Sequence, residues 1–198
     1  MADIFVAPKH RSHMNVLSSF SQNPKNVSFQ TQKEKEQIVL FLRSHFTINF
    51  PWITFSILLI FLPLIISAIL PLFKIDFLSS PIAIRFTTIY VLLYYLLVFS
   101  YAFVSFLHWF YNVFIVSTER IIDIDYSDVV IHNMAITSLS HVEDVNYTQS
   151  GFIPTVINYG DLFVQTAGDE RNFEAPNIPK PREAASIIGD LTGKRHFK

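Results

Sequence analysis

Three groupings of side chains in this sequence are of a kind that could do chemistry. Asp123-x-Asp125-x-x-Asp128 spaces carboxylates as hard oxygen donors for a calcium ion. A calcium loop of that type needs glycine at its sixth position and glutamate at its twelfth, where this chain has Asp128 and Met134, so the triplet reads as a solvated hairpin. His141, Glu143 and Asp144 could form an acid–base group, with His108 as a further candidate. On a strand, His141 and Glu143 project from one face and Asp144 from the other, so the three do not converge. His10 and His13 form a ligand-like pair with no further ligands near them. The chain has no cysteine, which excludes disulfides, thiolate metal sites and cysteine nucleophiles. Gly-x-Gly-x-x-Gly, Gly-x-x-x-x-Gly-Lys, His-Glu-x-x-His and Gly-x-Ser-x-Gly are also absent. The chain therefore reads as a protein that is not an enzyme, with no cofactor and no metal.

The elements that would position these residues are dominated by two uncharged apolar runs, Phe46 to Phe73 and Phe86 to Thr118. A hydrocarbon core about 30 Å thick needs roughly 20 apolar residues of helix. A soluble core helix would carry a polar stripe, and Ile57-Leu-Leu-Ile-Phe-Leu-Pro-Leu-Ile-Ile66 has none. Pro51, Pro63 and Pro71 are costly in a soluble helix and better tolerated in a membrane one. The sequence thus predicts a helical hairpin in the membrane, with spans over 47–73 and 86–110 joined by a loop over 74–85. Trp52, Trp109 and Tyr111 are the expected anchors at the headgroup level. No Asp, Glu, Lys or Arg lies in either span, which argues against a pump or transporter acting alone.

The remaining segments follow from composition. Residues 1–32 mix Ser, Asn, Gln, Pro and scattered charge without periodicity and read as a disordered tail. Residues 33–46, charged first and apolar later, read as a short interfacial juxtamembrane helix. No stretch before Thr47 has the apolar core of a cleavable signal. Lys33, Lys35 and Arg43 precede the first span and Arg120 follows the second, against Lys74 and Arg85 in the loop. This bias places both termini in the cytoplasm of a multi-pass cell-membrane protein.

After Tyr111 the pattern turns strand-like. Asn112 to Thr118, Arg120 to Tyr126, Val129 to Ile131, Ala135 to Thr137, His141 to Tyr147, Asn158 to Thr166 and Asn172 to Ala175 are β-branched or aromatic runs between turn residues. Gly151, Gly160 and Ala167-Gly-Asp-Glu170 supply turns. Pro179, Pro181, the repeat Ala184, Ile187, Ile188, Leu191 and the stop at Gly193 predict one closing amphipathic helix. The fold class is α+β, a two-helix transmembrane hairpin followed by a small antiparallel domain over 111–192 with a C-terminal helix and a tail over 193–198.

The order of these segments, a hairpin, Phe114-Ile-Val-Ser-Thr-Glu-Arg-Ile-Ile122, His141-Val-Glu-Asp-Val145, then Gly151 to Gly168 with Tyr159-Gly160-Asp161, resembles the bacterial pleckstrin-homology-like (PH-like) membrane proteins. The likeness covers about Gln37 to Leu191 and rests on order and spacing rather than on one specific motif. It implies two packed antiparallel sheets capped by a helix, in a binding or assembly module. Relatives that capture phosphoinositides use several lysines and arginines around the first hairpin, where Val113 to Ile131 here offers Arg120 among Glu119, Asp123, Asp125 and Asp128. From Tyr111 onward seven Lys or Arg face twelve Asp or Glu, a formal net of minus five. That balance argues against phosphoinositide capture and against nucleic acid. The expected partners are the lipid bilayer and either a protein or further copies of the chain, contacted through Val142, Val145, Tyr147, Phe152 and Ile153. The alternative is an accessory subunit of a membrane transport or envelope-maintenance complex, recognised through its spans.

Overall fold

Ile38-Val-Leu-Phe-Leu-Arg43 is the segment that organises the architecture, and it is a strand, β2 (Ile38–Arg43), rather than a juxtamembrane helix. Its side chains are buried on both faces, so it lacks the alternation that marks a half-exposed strand. The computed structural model describes residues 15–25, 28–29, 32–73, 80–126, 132–167 and 172–193. The supposed tail contributes a further strand, β1 (Phe20–Gln22), which pairs antiparallel with β2 as Phe20↔Leu42 and Gln22↔Leu40. Both assignments correct the expected boundaries at 32 and 46. The chain divides into two compact units, Met1–Phe46 with Phe110–Lys198, and Thr47–Trp109.

In the first unit the strands form two antiparallel sheets. Beside β1 and β2, the larger contains β3 (Val113–Ser117), β4 (Arg120–Tyr126) and β5 (His132–Ser138), in the order β1-β2-β3-β4-β5. The pairing of β2 with β3 aligns Leu40↔Val116, Phe41↔Ile115 and Leu42↔Phe114. A strand before the apolar helices thus lies beside the first strand after them. The smaller sheet contains β6 (Val142–Thr148), β7 (Tyr159–Thr166) and β8 (Phe173–Pro179) in sequence order. The run Val129 to Ile131 and most of the expected hairpin tip at 167–170 lie outside the described residues.

The main core sits between the sheets. Leu40, Leu42, Phe114, Val116 and Ile121 from the larger sheet join Leu162, Val164, Phe173, Ala175 and Ile178 from the smaller. The C-terminal helix Pro181–Leu191 adds Ala184, Ala185 and Ile188 to the same cluster, as its helical spacing predicts. A smaller cluster, Ile38, Phe41, Ile115 and Ile122 with Phe29 against it, covers the opposite face of the larger sheet.

The second unit contains two helices, α1 (Phe50–Ile69) and α2 (Pro81–Tyr111). Both are long and apolar enough to cross a membrane, with mean hydropathies of 2.8 and 2.0 over their best windows. Pro51 falls at the start of α1 and Pro71 in the 3-10 turn after it, so Pro63 alone of the three sits inside the α-helix. α2 starts before Phe86, where Ser80 Oγ accepts the Ala83 N–H at 3.2 Å as an N-terminal cap. Two tyrosine hydroxyls tie the helices together: Tyr94 donates to the Leu59 carbonyl at 2.7 Å and Tyr95 to that of Ile60 at 3.1 Å. In an apolar setting such bonds satisfy polar groups that have no water to turn to.

Candidate functional site

The connection between β6 and β7 is a six-residue helix, α3 (Phe152–Ile157), where glycine-led turns had been expected. Gly151, at φ 104°, precedes it, and Asn158 ends it in the left-handed conformation, which asparagine tolerates better than most residues. At the base of the excursion Gln149 Nε2 donates to Asn158 Oδ1 at 3.1 Å and to the Tyr159 carbonyl at 3.3 Å. Gly160 is required there, because a Cβ would stand 2.3 Å from the Thr148 carbonyl oxygen. A fixed base thus presents a fixed tip.

That tip is apolar and faces outward. Phe152 is 83% exposed, Val156 65%, Ile153 56% and Ile157 42%, and Tyr147 on β6 is 37% exposed. The sequence from Val145 to Gly160 carries no Asp, Glu, Lys or Arg. Single exposed apolar side chains are ordinary on a protein surface, but here four fall within the six residues of one short helix. Of the five contact residues expected from sequence, Phe152 and Ile153 lie on this tip, and Tyr147 is partly exposed on β6. Val145 is half-buried against the core, and Val142 is 1% exposed inside it, so Val142 cannot touch a partner. Val156 and Ile157 were missed, although they repeat Phe152 and Ile153 at i+4 and so share their side of the helix.

The other groupings are placed as follows. His141 and Glu143 are exposed, and Asp144 is turned to local work, with Oδ1 accepting the Val145 N–H at 2.9 Å and Oδ2 the Asn146 side-chain amide at 2.7 Å. A register shift between Val142 and Asp144 breaks the strict alternation assumed for this stretch. Asp123 pairs across the ladder with Phe114 and so shares its core-side face, at a cleft of about 430 Å³ that also involves Leu42, Asp125, Ala175 and Ile178. Burial first, and the charge of Asp125 second, push the Asp123 carboxyl up to about 6. Asp128 lies outside the described residues, and among those described no three His, Asp or Glu side chains are grouped to hold a metal.

Glu36 and Arg120 form the most deeply buried ion pair described. Arg120 Nε and Nη2 donate to the two Glu36 oxygens at 2.9 and 2.8 Å, Ser117 Oγ donates at 2.6 Å and the Lys33 N–H at 3.1 Å. The arginine bond is the chief reason the Glu36 carboxyl is held down to about 2. This pair locks the segment before β2 to the β3–β4 turn, and it occupies the arginine that the first hairpin could have offered to a phosphate. Adding the N-terminal segment also changes the electrostatics: the whole first unit has thirteen Lys or Arg against fifteen Asp or Glu, a net of minus two rather than minus five.

Among the expected anchors, Trp52 donates its indole N–H to Asn49 Oδ1 at 3.0 Å. Trp109 is buried, with the Phe106 ring 6.1 Å away, and Tyr111 is 45% exposed and stacked on Tyr126 at 5.1 Å.

Compared with known proteins, the chain matches no family model, no curated protein and no solved structure.

Proposed function

We propose that this chain is a membrane-anchored binding and assembly module, in which α1 and α2 form a transmembrane hairpin and the β unit is a PH-like domain at the cytoplasmic face. The observation that carries the reading is the exposed apolar tip of α3, outside the two long helices, on a base fixed by Gln149 and Gly160. An uncharged tip of this size takes up another protein or a second copy of the chain by burying Phe152, Ile153, Val156 and Ile157. The PH-like part is supported by two antiparallel sheets around one core with a C-terminal helix added to it. The cytoplasmic orientation is supported by Lys33, Lys35, Arg43 and Arg120 flanking the helices. No hydrolytic or redox activity is assigned, because His141, Glu143 and Asp144 are not assembled around a common point.

The alternative, an accessory subunit recognised through its spans, is favoured by one observation. Only 6% of each helix window is buried, so long apolar flanks remain for lipid or for other helices. Replacing α1 and α2 with an unrelated hairpin separates the readings. Partner recovery that survives the exchange and is lost in Phe152→Asp/Val156→Asp assigns recognition to α3; recovery lost on exchange and kept in the double variant assigns it to the helices.

A further inference from the structure

The turn that precedes β1 is built like a second apolar tip, and its attachment says what it meets. Ser18 N–H donates to the Asn15 carbonyl at 2.8 Å to close the turn, leaving Val16 72% and Leu17 59% exposed. No Asp, Glu, Lys or Arg occurs from Asn15 to Pro24, so this tip can leave water without desolvating a charge.

The turn is fastened to the residues from which the chain enters its two apolar helices. Arg43 Nη1 donates to the Val16 carbonyl at 3.0 Å, the Arg43 N–H donates to the Ser19 carbonyl at 2.9 Å, and Ser19 Oγ donates to the Ser44 carbonyl at 3.2 Å. Arg43 is 4% exposed, and its guanidinium lies 4.5 Å from the Phe110 ring centroid and 5.4 Å from that of Phe41. Arg43 stands just before Phe46, where the first candidate span begins, and Phe110 is the penultimate residue of the second. Phe46, 53% exposed, and Tyr111, 45% exposed, belong to the same unit as the turn. Tyrosine at a helix terminus settles at the level where acyl chains meet headgroups.

We infer that Val16 and Leu17 are a third contact with the lipid bilayer, dipping into the headgroup–acyl boundary alongside Phe46 and Tyr111. The inference rests on the spanning reading of α1 and α2. A protein surface would be an equally apolar cover, but the turn is bonded to Arg43 and Ser44, within three residues of a candidate span. A loop tethered so close to the bilayer meets lipid first.

The absence of cysteine makes the test direct. Single cysteines at Leu17, at Val16, at Leu58 in the middle of α1 and at the exposed Ser140 are labelled with an environment-sensitive fluorophore in the full chain. The chain is reconstituted in phosphatidylcholine vesicles, and quenching by nitroxide-bearing lipid is compared with quenching by aqueous iodide. The Leu17 and Val16 probes should be quenched by shallow nitroxide lipid about threefold more strongly than the Ser140 probe, and protected from iodide. Leu17 and Val16 behaving like Ser140 while Leu58 is quenched by lipid overturns the inference and leaves the spans standing. Leu17 protected from both quenchers means that protein covers the turn, and also overturns it. A Leu58 probe open to iodide removes the spanning reading, and the inference falls with it.

Discussion

Replacing Asp123 with asparagine should make the β unit more stable at neutral pH. The side chain shares the core-side face of β4 with Phe114 as its ladder partner, and Asp125 is its charged neighbour. Its carboxyl is raised from 3.8 to about 6, which means that the folded state holds the proton more tightly than the unfolded chain does. The sign follows from linkage: stability is highest below about pH 3.8, falls as pH rises toward 6 and is level above it. A difference of about two pH units is worth about 3 kcal/mol, and solvent screening of this half-buried group reduces it to about 1–2 kcal/mol. Asparagine keeps the shape and cannot ionise, so the variant gains that amount at pH 7 and nothing well below pH 3.8. Urea unfolding of the detergent-solubilised chain, followed by near-ultraviolet circular dichroism at several pH values, reads it out. Taking the difference between variant and parent cancels Glu36, whose slope has the opposite sign. A difference that stays flat from pH 4 to pH 7 would refute the reasoning, because an ionisation cost at the cleft must appear in that interval.

Other expectations follow from the same geometry. Glu36→Gln should cost about 3 kcal/mol at pH 7, since it leaves the half-buried Arg120 without its carboxylate. The parent's share of that stability is present above about pH 4.5 and lost as pH falls toward 2, so the two proteins should converge in acid unfolding. Gly160→Ala should destabilise by about 1–3 kcal/mol, because the new methyl meets a backbone carbonyl that cannot turn aside, and should raise proteolysis in the β6–β7 connection. Leu162→Ala should cost about 2–5 kcal/mol in the same unfolding assay, as expected for emptying a fully buried core position.

Much of this architecture is legible in the residues. The lack of any polar stripe in Ile57 to Ile66 gives α1, and the repeat Ala184, Ile187, Ile188, Leu191 gives the last helix. Strands β3, β4 and β7 follow from β-branched runs between turns. β2 is not legible, for two physical reasons. It is covered on both faces, so it reads as a plain apolar run, and its partner β3 lies beyond both long helices, so no local hairpin signal connects them. The charges at Lys33 to Glu36 look like the polar face of an interfacial helix, yet Glu36 points inward to Arg120. At the candidate site, Tyr147, Phe152 and Ile153 stand out as apolar residues beside a glycine turn, whereas Val142 belongs to the core. The register shift between Val142 and Asp144 could not be read from alternation, since it interrupts the period on which that reading depends.

The most direct measurement is site-specific photo-crosslinking in cells from residue 152, with residue 140 as the exposed control, the products purified in mild detergent and identified by mass spectrometry. A single protein species, either a second copy of this chain or one stoichiometric partner, should be captured from position 152 and not from position 140, and Val156→Asp should abolish it. Capture of lipid alone, or equal and heterogeneous capture from both positions, would contradict a binding module that works through α3.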